Sequence, residues 1–182
     1  MKTDTAVEQT LRWIDKVIIA ENFCPFARKE RESKRIRAIS TEETDNALIL
    51  QALLDELQLL ENNSGIETTL LIIAQGSKDF FDYLDLVDLA NRLLKQERYD
   101  GIFQLATFHP DYIFADAPAD ATSHYTNRSP FPILHILREE SLETALKTFP
   151  NPENIPVRNV KHAEKLGKTF FQKLLAPHDQ SK

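Results

Sequence analysis

The sequence predicts an α/β protein. It reads as one domain, a small, largely parallel sheet of three to four strands with helices packed on it. Three observations lead there. Apolar residues recur at helical spacing in several long segments, and short apolar runs rich in β-branched residues lie between them. The two kinds then alternate along the chain, which calls for crossover connections and parallel strands. A chain of 182 residues suits one domain, boundaries 1–182, and buries enough surface to fold without a disulfide or metal.

The elements follow in order. Thr5 to Glu21 places Val7, Leu11, Ile14 and Ile18 on one helical face, widened by Trp13 and Val17. Pro25 breaks the pattern and suits the first turn of a short helix through Arg28, with Cys24 as its N-cap. Lys34 to Ile39 alternates like a half-exposed strand. A helix from Thr41 to about Asn62 turns Leu48, Ile49, Leu53, Leu57 and Leu60 inward, and Asn62-Asn63-Ser64-Gly65 stops it. Thr68 to Ala74 reads as a strand covered on both faces. Phe80 to Glu97 forms the next helix, with Phe80, Leu84, Val87, Asn91 and Leu94 as its stripe; Ile102 to Phe108 is the third strand. His109 to about Arg128 has no period, and a structureless stretch of that length is often functional. Ser129-Pro130 resembles an N-cap and first-turn proline opening a helix toward Phe149. A last helix runs from Val157 to Leu175, and residues 176–182 are expected to fray.

Composition narrows the function. Lys and Arg total 22 against 28 Asp and Glu, a net charge of −6 that disfavours nucleic-acid or anionic-membrane partners. The longest aliphatic run, Leu70 to Ala74, is far too short to span a bilayer, which takes roughly 20 residues. A single cysteine points to a reducing compartment, and the expected location is the cytoplasm.

Candidate chemistry gathers late in the chain. His109, His124 and His135 fall close together, among Asp111, Asp116, Asp120, Arg128, Arg138 and Glu139. His109 follows the third strand directly, at the edge where open parallel sheets bind ligands, and the Gln75-Gly76-Ser77 turn should share that edge. An imidazole there suits general acid–base work or metal ligation; the plainer alternative is a bond to a carbonyl. On the expected helix, Arg138 and Glu139 follow His135 at i+3 and i+4, an arrangement fit to orient an imidazole and hold an anion. Asn127-Arg128-Ser129 at that helix's N-terminus favours an anion as well. Cys24 at a helix cap with Arg28 and Lys29 nearby has the makings of a lowered thiol pKa, whereas Phe23 and Phe26 beside it argue for burial. No phosphate loop, dinucleotide fingerprint, HExxH or paired CxxC occurs, and the cofactor is not legible from the sequence.

Three stretches carry a resemblance: Cys24-Pro25-Phe26-Ala27, Phe108-His109-Pro110-Asp111-Tyr112, and Tyr125 to Pro132 continued by Leu134-His135 and Leu137-Arg138-Glu139. Together they resemble a bacterial family of about this length, a domain of unknown function. The resemblance implies that these motifs define the protein; it brings no activity with it.

The reading that follows is a small enzyme acting on an anionic small molecule. Cys24, His109 and His135 are the catalytic candidates, and Asp111, Tyr112, Asn127, Arg128, Ser129, Arg138 and Glu139 the binding candidates. A transition-metal site using Cys24, His109, His124 or His135 is the second reading. A scaffold whose polar cluster braces the long loop is the third. Oligomeric state is not legible.

Overall fold

The computed structural model describes residues 2–175; the expected frayed tail, 176–182, lies outside the described residues. Strands β1 (Ile36–Thr41), β2 (Thr68–Ile73), β3 (Phe103–Phe108) and β4 (Ile133–Arg138) form one sheet in the order β1-β2-β4-β3. β1 and β2 pair in parallel, and β4 runs antiparallel to both its neighbours. Thus β1, β2 and β3 all point one way, with a reversed strand inserted between the last two.

That inserted strand corrects the helix expected from Ser129. Ile133, Leu134 and Ile136 are all fully buried, so both faces of the segment are apolar and its alternation is hidden. Pro130 and Pro132 hold the approach extended, and the Ile73 N–H donates to the Pro132 carbonyl at 2.9 Å. A helix, α5 (Glu139–Thr148), begins only after Arg138.

Helices cover both faces. On one side α3 (Asn46–Glu61) and α4 (Phe80–Gln96) pack Ile49, Leu53, Leu57, Tyr83 and Leu86 against Leu71, Ile73, Phe103, Leu134 and Ile136. Asp45 and Asp79 start these helices by accepting backbone N–H bonds at their N-termini. Each fully buried leucine or isoleucine contributes about 1.5–3 kcal/mol. The buried stripe of α4 is Phe80, Tyr83, Leu86, Ala90 and Leu94, rotated from the predicted one; Leu84 is 38% exposed. Leu48, expected to face inward on α3, is half exposed.

On the other side α1 (Lys2–Trp13), α6 (Ile155–Leu166) and α7 (Lys168–Leu175) pack Trp13, Val17, Ala163 and Phe171 against Leu70, Ile72 and Ile133. The first helix continues beyond Trp13 as a π-helix, Ile14–Ile19, with i→i−5 bonds such as Phe23 N–H to the Ile18 carbonyl at 2.9 Å. The helix expected to run unbroken to Leu175 divides at Gly167, whose φ of +76° suits a residue without Cβ. The short α2 (Ala27–Glu32) lies near α5, joined by an edge-on contact between Phe26 and Phe149.

Candidate functional site

The sheet face beneath the first helix carries a row of paired residues, Ala38, Leu70, His135 and Ala106. Ala106 is small, and the space it leaves beside His135 opens a cavity of about 260 Å³. Trp13 and the π-helix residues Ile14 and Ile18 form one wall, α5 supplies Leu142 and Ala145, and Phe26 and Cys24 close one side. A π-helical turn widens the backbone spiral by one residue and frequently sits at functional sites. Here it places two isoleucines over the opening. The walls are mostly apolar, so the few polar atoms stand out.

His135 is the first of these. The Thr68 hydroxyl has one hydrogen and gives it to the Ile136 carbonyl. Its 2.6 Å contact with His135 Nε2 is therefore a bond in which the ring N–H donates. Burial pulls the His135 pKa down to about 4, so the ring is neutral at pH 7. Nδ1 then carries a lone pair and has no partner among the described residues.

Trp13 is the second. It is 3% exposed, and its Nε1–H is buried without a partner among the described residues. A buried unsatisfied donor costs roughly 1–3 kcal/mol, so native structures keep few. Phe108 meets both groups: its ring lies 5.2 Å from the Trp13 ring and 6.2 Å from the His135 ring.

Cys24 lines the same cavity, but neither as an N-cap nor with a lowered pKa. The N-cap of α2 is Phe26, two residues later than expected. Burial raises the thiol pKa and outweighs the backbone N–H groups of Phe26 and Ala27 and the charge of Arg158. Cys24 is a neutral thiol at pH 7. The expected basic partner Arg28 is turned away, donating to the Ile19 carbonyl at 3.2 Å.

Beyond Cys24 lies a wider cleft of about 910 Å³ between the loop at 114–123 and α6. Ile18, Cys24 and Phe108 line both spaces. Asp116, Asp120 and Glu164 at the cleft outnumber Lys168, its one lining cation among the described residues. The two lined spaces thus meet at the thiol and the Phe108 ring.

The remaining candidates are placed otherwise. His109 is fully buried on the opposite face of the sheet, between the rings of Phe80 and Tyr83 at 5.3 and 5.1 Å. Its Nδ1 accepts from the Asp111 N–H at 3.0 Å, and Nε2 donates to the Ser77 carbonyl at 3.0 Å. Burial lowers its pKa, consistent with that neutral form. The Gln75–Ser77 turn does share this edge; a Cβ on Gly76 would stand 2.6 Å from the Glu43 carbonyl oxygen, so only glycine fits. His124 repeats the arrangement, accepting from the Phe114 N–H and donating to the Pro118 carbonyl. Both histidines brace the long loop through both ring nitrogens.

The arginines are engaged as well. With β4 a strand, His135 and Arg138 fall on opposite faces, and the helical triplet with Glu139 does not exist. Arg138 gives Nη2 to the carbonyls of Leu60, Asn63 and Ile66, closing the end of α3, and lies over the Phe103 ring. Arg128 donates to the Tyr112 carbonyl and sits 4.6 Å from the centre of the Tyr125 ring. Ser129, fully buried, caps no helix; its hydroxyl donates to the Phe131 carbonyl. Asn127 bonds the Thr107 carbonyl and lines the outer cleft. Asp111 is exposed, Tyr112 packs on Phe80 and Phe114, and the Glu139 N–H donates to the Ile102 carbonyl.

Of the predicted catalytic residues, then, Cys24 and His135 share a cavity and His109 lies elsewhere. Among the described residues no three His, Cys, Asp or Glu side chains gather to hold a metal ion. Trp13, Thr68 and Phe108 were not among the predicted site residues. Trp13, the single tryptophan of the chain, and Phe108, in the second of the three motifs, carried signals that could have found them.

Among the described residues no helix is long and apolar enough to cross a membrane. No curated protein and no solved structure matches the chain. Its sequence does fit the profile described as "Protein of unknown function (DUF1415)" over residues 5–173, and the chain belongs to that family.

Proposed function

We propose that this protein binds a small, largely apolar organic molecule in the cavity beneath the first helix, with Cys24 and His135 as the groups it presents for chemistry. The observation that carries this is an apolar hole lined by a neutral thiol and an imidazole whose Nδ1 has no partner. Ligand sites are typically apolar concavities with a few convergent polar groups. The ligand reaches the cavity through the outer cleft, past Phe108 and Cys24. The expected anion clamp finds little support, since Arg128 and Arg138 donate to backbone carbonyls and the cleft is net acidic. A neutral ligand fits these surroundings better than an anion.

The test uses Trp13 as reporter. Cyclohexanol titrated into the protein is expected to give a saturable change in tryptophan fluorescence. Ala106→Leu adds three carbons to the cavity floor and should weaken that binding at least tenfold while the circular dichroism spectrum stays native. No saturable change, or an unaltered affinity in the folded variant, overturns the proposal.

A further inference from the structure

Two rings in the cavity wall carry polar atoms of opposite character that nothing among the described residues satisfies. Trp13 Nε1–H can only donate, and it is buried without a partner in a side chain 3% exposed. His135 Nδ1 can only accept, because the Thr68 hydroxyl fixes the ring's single hydrogen on Nε2. Both rings line the same space and both touch Phe108. Neither atom is needed for the fold, since folding would be better served by a tryptophan with a bonded N–H and a residue other than histidine at 135.

Resting on the binding role proposed above, we infer that the natural ligand is a neutral molecule carrying a hydrogen-bond acceptor for Trp13 Nε1–H and a donor for His135 Nδ1 on an apolar body, as in a primary or secondary carboxamide. A carboxylate is disfavoured: Arg138, the guanidinium in the cavity wall, already donates to the Leu60, Asn63 and Ile66 carbonyls, and the imidazole is uncharged. A plain hydrocarbon fills the space but leaves both atoms unpaired. An ester or ketone answers Trp13 alone.

Three probes of nearly the same shape separate these cases: cyclohexanecarboxamide (acceptor and donor), cyclohexyl methyl ketone (acceptor only) and isopropylcyclohexane (neither). Their affinities are measured by calorimetry in the wild type, in Trp13→Phe and in His135→Phe. Trp13→Phe is expected to weaken the carboxamide and the ketone about tenfold and to leave the hydrocarbon unchanged. His135→Phe should weaken the carboxamide alone. In the wild type, which needs no variant to fold, the infrared carbonyl stretch of the bound ketone should lie below its position in hexane. Binding of all three probes with equal losses in each variant, or an unshifted carbonyl stretch, overturns the inference and leaves the apolar binding role standing. Failure of all three to bind removes that role itself.

Discussion

Replacing His109 with alanine separates a catalytic from a bracing role. The ring is completely buried, between Phe80 and Tyr83, and its two nitrogens tie the chain after β3 to the turn before α4. Removing it loses two hydrogen bonds, each contributing about 1 kcal/mol net. The hole left between two aromatic rings costs about 2–3 kcal/mol more. Water can reach the exposed Asp111 and recover part of the first loss. The net expectation is about 3–4 kcal/mol. With a urea slope of about 2 kcal/mol/M, the unfolding midpoint moves down by roughly 1.5–2 M. Trp13 fluorescence, on the opposite face of the sheet, follows the transition. A loss below about 1 kcal/mol refutes the bracing role and returns His109 to the list of residues free for chemistry.

Three further outcomes follow from the same reasoning. His135 titrates near 4 in the folded protein against an ordinary 6.5, so the unfolded chain takes up a proton first as pH falls. Stability should therefore drop between pH 6.5 and 4, by up to about 3 kcal/mol, and His135→Phe should flatten that slope; a profile equally steep in the variant contradicts it. Arg138→Leu removes the guanidinium shared by the Leu60, Asn63 and Ile66 carbonyls, of which the first two keep a backbone N–H donor, and should cost about 1–3 kcal/mol in chemical denaturation, with Arg138→Lys recovering only part. Cys24, its pKa raised by burial, should react with iodoacetamide at pH 7.5 more than tenfold slower than a free thiol, and a rate equal to glutathione's speaks against a buried neutral thiol.

Most of the architecture was legible because its signals are local. Gly65, Gly76 and Gly101 punctuate the chain around β2 and before β3, and Asp45 and Asp79 fall where helices begin. β4 was not, since a strand buried on both faces has no alternation and its preceding prolines mimic a helix start. The site was half legible for a related reason. Composition and spacing drew attention to Cys24 and His135, which do share a cavity. They also drew attention to His109, His124, Arg128 and Arg138, whose polar atoms turn out to be held by backbone groups, some of them distant in sequence, such as Ser77 for His109 and Leu60 for Arg138. Which polar atoms remain unbonded is a property of the tertiary fold, and no spacing rule carries it.

The position of β4 also sets an order of assembly. It is the last strand in the chain, yet it lies between β2 and β3 and bonds to both. Until residues 133–138 are in place, β2 and β3 have no partner along those edges, and the Tyr83 hydroxyl lacks its acceptor at the Ile133 carbonyl. The β1–α3–β2 unit can close on its own; the rest of the sheet waits for its keystone. A fragment ending before Ile133 would thus expose two further strand edges, the kind of surface that favours self-association.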